Sequence, residues 1–417
     1  MIQDDYTAPQ GMQTDTSMYL FMKEGCSDAS QEKIYYFNNR ITAGELLRDI
    51  EKIAAYLRGI GIRQGDSVGI CLPNIPQAVV ALYAINSIGA VANIIHPKVN
   101  GQGLKSILIN TSTTAIFVLD CVDYIDMLCN MDVRTISCSP SDYMKGVLKT
   151  VVNITRPNVN ARAIAFPCAL AIGEKLMIGP FPCGDEETDD PGGRPAVYLH
   201  SSGTTADAKT VVLSNKAFNC LVKNVITSTS KNHRYEPCHT MLMVLPLFHG
   251  FGLGICIHLS LRMFKVAMLP RFAAKKAIAM IRKHNIQYIA AIPGMLEKML
   301  KEKSVEKKAL GSLKLVFCGA DRLRPEVKTA FDNLMLENGS DAEVFEGYGL
   351  SEVASVLTVN VKGDSKAGTL GKPIANTEIM IIDDDGNPCP AGVVGRVLIR
   401  SESMMTGYLN NGGEDSG

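Results

Sequence analysis

Strand-forming and helix-forming segments take turns along most of this chain, and that alternation limits the possible folds more than any other feature. Residues 42–45, Thr-Ala-Gly-Glu, have the spacing of a capping box, in which the Thr and Glu side chains satisfy backbone N–H groups at a helix start. A helix should open there with Leu46, Ile50, Ile53 and Leu57 on one face and stop around Gly59 and Gly61. "DSVGICLP" reads as a strand, and "IPQAVVALYAINSIG" as a helix that Pro76 starts and Gly89 ends. "AVANIIHP", "GLKSILIN" and "TAIFVLD" continue as strand, helix and strand. This alternation predicts an α/β fold with largely parallel sheets.

The pattern weakens between residues 139 and 196, where "GDEETDDPGGRP" is an acidic, turn-rich loop expected at the surface. It then resumes. "AVYLHSS", "TMLMVLPL", "IQYIAAIP", "LKLVFCGA" and "AEVFEGYG" read as strands, with helices over 214–229 and 274–284. After Gly368 the texture changes. "TEIMIIDDDGNPCPAGVVGRVLIR" holds two short strands around an Asp-Gly-Asn-Pro turn, the mark of a small antiparallel unit. The expected division is one α/β subdomain over about 1–190, a second over about 191–367, and a small β unit over about 368–411.

Composition narrows the function classes. Of 417 residues, 46% are hydrophobic, enough for a large core. Forty-two basic residues balance 42 acidic ones, so there is no overall electrostatic footprint for nucleic acid or an anionic membrane. Twelve Cys are scattered with no C-x-x-C pair, as in a reduced intracellular protein. The one directly adjacent Cys/His pair, Cys238 and His239, has a spacing that chelates poorly. The N-terminus is acidic and polar, unlike a signal peptide. The most apolar stretches, 75–95 and 241–261, are interrupted by Pro, Gly, His or Asn and predict no membrane span. A soluble cytoplasmic protein is expected.

"HSSGTTADAKTVVLSN" (200–215) is the segment with most chemistry in it. Residues 203–210 nearly match the Walker loop G-x-x-x-x-G-K-[ST], but Ala208 stands where the second Gly lets the backbone curl around phosphates. An ordinary hydroxyl-rich turn joining a strand to a helix is a second reading. The third is a resemblance to the phosphate loop of the adenylate-forming superfamily, S-[ST]-G-[ST]-[TS]-G-x-P-K-G-V. Ser201, Ser202, Gly203, Thr204, Thr205, Lys209 and Val211 fit it, and Ala206, Ala208 and Thr210 replace Gly, Pro and Gly. Three further segments resemble that superfamily in the right order: "PLFHGFGLG" (246–254), "VFCGADRL" (316–323) and "EGYGLSE" (346–352). Softer likenesses extend the resemblance over roughly residues 40–411.

The resemblance implies an acyl-CoA-synthetase-like ligase with the superfamily's large N-terminal domain: two α/β subdomains and a small antiparallel one. It implies ATP, Mg2+ and CoA (or another thiol acceptor) as cofactor and co-substrates, a carboxylic acid, fatty or aryl, as substrate, and leaves room for a homodimer. The acid would become acyl-AMP, by positioning and electrostatics without a protein nucleophile. By the same resemblance Glu352 is the Mg2+ ligand and Ser351 reaches the α-phosphate. Tyr348 stacks on adenine beside Gly347, within a nucleotide-binding run that includes Glu346 and Gly349. Gly319, Ala320 and Asp321 form the other wall. Asp321 either reaches the adenine amino group or caps the helix near 322–325. His249 gates the carboxylate, and Lys209 adds charge to the loop of Ser201–Thr205 residues. The acyl pocket is expected to draw on 248–254, 292–294, 316–319 and 350–355, with Gly252, Gly254, Ala354 and Ser355 leaving space. In the superfamily a small C-terminal lid domain carrying a Lys follows, so this reading expects the lid to be absent from the sequence and the chain alone to be weakly active or inactive. A non-catalytic relative that binds nucleotide or acyl ligand, or acts as a scaffold, is the alternative function.

Overall fold

A computed structural model describes residues 11–120, 125–154, 162–177, 190–200, 209–302, 308–366 and 368–409. Two large sheets and a separate two-stranded one organise them. In the first sheet the strands lie in the order 407–408, 210–214, 195–200, 91–94, 67–71, 113–119, 134–138, 164–165. From 195–200 onwards every pairing is parallel, and the first two pairings are antiparallel. The second sheet runs 372–373, 356–359, 344–349, 315–318, 288–291, 240–243, 265–268, 32–36, 39–42. Its middle is parallel, with antiparallel pairs at both ends. The α/β class with parallel-rich sheets and a small antiparallel unit is therefore what the chain forms. That unit pairs Thr377–Ile382 with Arg396–Ser401.

Sheet membership does not follow chain order at residue 190. The hairpin 195–214 joins the first sheet, whereas the hairpin 32–42 from the start of the chain completes the second. Both are antiparallel hairpins added to edges, and such pairing needs only a short turn, not a crossover helix.

Local signals explain most elements. Thr42 Oγ1 accepts from Glu45 N at 3.2 Å and Glu45 Oε2 accepts from Thr42 N at 2.8 Å, closing the capping box of the helix Ala43–Gly59. That helix buries Leu46, Ile50, Ile53 and Leu57. Pro76 opens Pro76–Ser87, which is buried on every side from Pro76 to Asn86, as expected of a helix apolar all round. The weak stretch after 139 holds two helices, Gly146–Ile154 and Phe166–Leu176. One apolar core spans both sheets. Polar ties cross it: Asn74 Nδ2 donates to the Leu245 carbonyl at 2.9 Å, and the Leu247 N–H donates to Asn74 Oδ1 at 3.0 Å. These bonds pin residues 245–247, which lead into the site.

Candidate active site

The parallel strands 240–243, 288–291, 315–318 and 344–349 all end at one edge of the second sheet. The segments that follow them enclose a cavity of about 530 Å3. This is where open parallel sheets bind ligands, because the loops after neighbouring strands diverge there. His249, Gly319, Ala320, Asp321, Gly347, Tyr348, Gly349 and Ser351 all line it. Three sequence motifs far apart in the chain thus meet around one space. The remaining wall is apolar and includes Val225, Leu245, Ile255, Ile292, Met295, Phe317, Val356 and Val359.

Backbone approach, more than open space, explains the glycines. A Cβ on Gly349 would lie 1.6 Å from the Ser355 carbonyl oxygen, and one on Gly347 would lie 2.9 Å from that of Thr358. Both glycines let 344–349 press against 356–359, so Gly347 serves the strand pair as well as the cavity. The expectation that Gly252 and Gly254 leave acyl space needs correction. A Cβ on Gly252 would meet the Pro246 carbonyl at 2.0 Å and one on Gly254 would meet Leu221 Cδ2 at 2.6 Å. Neither lines the cavity, and neither does Ala354, whereas Ser355 does. Residues 251–259 form a π-helical segment whose wide turn brings Phe251 and Ile255 to the wall. Val225, Met295 and Val359 were missed because each comes from an element whose sequence shows only helix or strand periodicity.

Asp321 lies at the rim, and its Oδ1 accepts from Arg322 N at 2.7 Å. The following helix starts at Pro325 behind Arg324 and has no side-chain cap, so Asp321 is not its cap. Ala320 takes a left-handed backbone, φ 67°, in the turn that aims residues 319–321 at the cavity. An L-residue there costs on the order of 1 kcal/mol, the kind of local strain found at ligand sites. Glu346 is not part of the lining. Burial raises its carboxyl above the usual range, and Lys328 lowers it in part.

His249 reaches solvent at the cavity, with its ring 4.6 Å from that of Phe248. Phe248 in turn lies 4.2 Å from the His96 ring. Burial first, and His96 second, hold the His249 pKa below that of free imidazole, so the ring is neutral at pH 7.

Ser201, Ser202, Gly203, Thr204 and Thr205 lie outside the described residues. Lys209 is described, and its ammonium sits 4.5 Å from the centroid of the Tyr408 ring. The Tyr408 hydroxyl donates to Glu352 Oε1 at 2.9 Å. Tyr408 therefore joins two predicted site residues, a link that sequence spacing gave no sign of. Glu352 Oε2 has no hydrogen-bond partner among the described residues, so a hard oxygen is left for a cation.

Among the described residues, Glu236, Cys238 and His239 also bring metal-type donors within 4.8 Å of one another. The Lys314 ammonium stands 3.0 Å from His239 Nε2, so this nitrogen already has a polar partner. Among the described residues, no helix is long and apolar enough to cross a membrane.

Residues 26–409 match the family model described as AMP-binding enzyme. The chain belongs to the AMP-binding enzyme family. Relatives of this family member include the long-chain-fatty-acid–CoA ligase of Bacillus subtilis (strain 168), 26% identical over 391 residues that make up 90% of this chain and 67% of that protein. The probable 4-coumarate–CoA ligase 3 of Dictyostelium discoideum is 26% identical over 87% of this chain and 64% of its own length. The chain thus spans about two thirds of the curated relatives it matches. In fold it is similar to the anthranilate CoA ligase AuaEII solved with anthranoyl-AMP, with a TM-score of 0.79 at 18% identity over 96% of this chain and 72% of that one. It is also similar to the N-terminal domain of FACL13 from Mycobacterium tuberculosis, with a TM-score of 0.72 at 18% identity over 95% of this chain and 92% of that one. The AMP-binding fold is that of the N-terminal domains of adenylate-forming CoA ligases.

Proposed function

We propose that this domain activates a carboxylic acid, fatty or aryl, with ATP to give acyl-AMP, and that the complete protein passes the acyl group to the thiol of CoA. The observation that carries the reading is the cavity itself, where the 316–323 and 346–352 motifs face an apolar wall. In the adenylation step a carboxylate oxygen attacks the α-phosphorus, the bond to the bridging oxygen breaks, and pyrophosphate leaves. Tyr348 stacks on adenine against the backbone of residues 319–321. Ser351 donates to the α-phosphate. Lys209 holds phosphate charge at the stem of the 201–208 segment. Glu352 offers one carboxylate oxygen to Mg2+, which offsets charge on phosphate oxygens when bound. Neutral His249 leaves the rim free of a fixed charge that would trap the incoming carboxylate. The described lining holds a single carboxylate, Asp321, and no lysine or arginine, which favours acids without a second charged group.

Pyrophosphate exchange with a panel of fatty, aryl and amino acids tests this. Exchange with apolar carboxylates and none with amino acids is the expected result. Nucleotide binding without exchange for any acid would instead support a non-catalytic binding domain, a reading motivated by Ala206, Ala208 and Thr210 at positions where the superfamily has Gly, Pro and Gly.

A further inference from the structure

Tyr408 belongs to the last described strand, far from the motifs, yet it is held from both sides. Gly407 and Tyr408 pair with Val212 and Val211 on the strand that leaves the 201–208 segment. The Leu409 N–H donates to the Thr210 carbonyl at 2.8 Å, and the Met405 N–H donates to the Glu352 carbonyl at 2.7 Å. The backbone of residues 405–409 is therefore stitched to Thr210 on one side and to Glu352 on the other.

The side chain repeats this arrangement. Its hydroxyl gives a charge-assisted hydrogen bond to Glu352 Oε1, and its ring face lies 4.5 Å from the Lys209 ammonium. Glu352 makes no ion pair among the described residues. A carboxylate and an ammonium close to the same ring would gain by pairing with each other. The phenol separates them, because a neutral donor satisfies the anion through one oxygen while an uncharged π face receives the cation.

We propose that Tyr408 is a positioning residue for the metal and phosphate side of the site, orienting Glu352 through its hydroxyl and seating Lys209 on its ring face. The inference rests on the nucleotide roles proposed above for those two residues. The hydroxyl fixes which oxygen of Glu352 is spent on protein and leaves Oε2 for the cation. Hydrogen-bond partners of ligating carboxylates typically matter 10–100-fold in metal affinity.

The test measures binding as well as turnover, with Mn2+ as the probe for Mg2+. Titration calorimetry of the ATP-loaded full chain should show Mn2+ binding weakened about 10-fold or more by Tyr408→Phe. ATP affinity without metal should be unchanged in that variant, since the ring face remains. Tyr408→Leu should also weaken metal-free ATP binding, by about 2- to 5-fold, the size of an exposed cation–π contact. Melting temperature separates these effects from misfolding, and the Tyr408→Phe, Glu352→Gln double variant should bind Mn2+ no worse than Glu352→Gln alone. Wild-type Mn2+ binding by Tyr408→Phe, or additive losses in the double variant, would overturn the inference. A wild-type chain that binds Mn2+ and ATP but exchanges no pyrophosphate overturns the proposed function only, because the binding series still decides the role of Tyr408. A wild-type chain that binds neither overturns both.

Discussion

Glu352 presents a carboxylate with one oxygen taken by a phenol and the other left over, and it follows Ser351, which lines the cavity. If the leftover oxygen serves a cation, charge matters there and shape does not. Glu352→Gln keeps the shape and an oxygen acceptor for Tyr408 but removes the charge. Pyrophosphate exchange should then fall by roughly a hundredfold, the loss expected of an electrostatic contact to the transition state, with the melting temperature unchanged. An unaltered exchange rate would remove Glu352 from the site. At this scale the motifs were informative because each carries its neighbours with it. Gly319, Tyr348 and Ser351 come to the cavity as parts of strand ends. Tyr408 was not legible, since its partners come from a strand pairing formed across most of the second half of the chain. Glu346 belongs to the same motif but is not among the residues that line the cavity.

Elements decide which glycines matter. Gly349 sits where the 344–349 strand meets its antiparallel neighbour, and a Cβ there would overlap the Ser355 carbonyl. Gly349→Ala must push one strand away. It should cost about 1–3 kcal/mol by urea unfolding and weaken nucleotide binding as residues 347–351 shift. Gly294 is the contrast. It lies in the helix Pro293–Leu300 with nothing within 4 Å of its would-be Cβ. Gly294→Ala should stabilise by up to about 1 kcal/mol, the helix-propensity difference, and leave binding intact. Equal effects of the two substitutions would contradict this account. The elements themselves were largely readable. The helix Ala274–His284 falls where periodicity placed it, and the capping box at 42–45 forms with both hydrogen bonds. Sheet membership was not readable, because alternation of strand and helix gives parallel order inside a sheet but says nothing of which sheet an edge hairpin joins. The acyl space was misjudged for a related reason. Small residues at 252 and 254 suggested a void, but sequence cannot show that the Pro246 carbonyl and Leu221 fill it.

Across the whole molecule, one buried and one half-buried histidine tie distant parts together in their neutral form. His258 is fully buried between Asn219 Oδ1, 2.9 Å from its Nε2, and the Tyr83 hydroxyl, 3.1 Å from its Nδ1. One nitrogen donates to the amide oxygen and the other accepts from the phenol, so a single neutral tautomer satisfies both. His200 leads into the 201–208 segment and does the same between Asn93 Oδ1 at 2.7 Å and Thr210 Oγ1 at 3.1 Å. Burial lowers His258 to about 3, with Arg262 adding to the effect, and lowers His200 to about 4. In the unfolded chain both titrate near 6.5. Between those values the unfolded state binds more protons, so stability is full above about pH 6.5 and falls as the pH drops towards 4. At pH 5 each histidine should have cost roughly 2 kcal/mol relative to pH 7, at about 1.4 kcal/mol per unit. Carboxylates add their own losses at lower pH, so the decisive comparison is between variants. His258→Gln keeps a donor for Asn219 and an acceptor for Tyr83 but cannot titrate. Its unfolding free energy, measured by urea at pH 7, 6 and 5, should fall less steeply than that of the unaltered chain. Parallel slopes for the two proteins would mean that His258 is not held neutral by its surroundings.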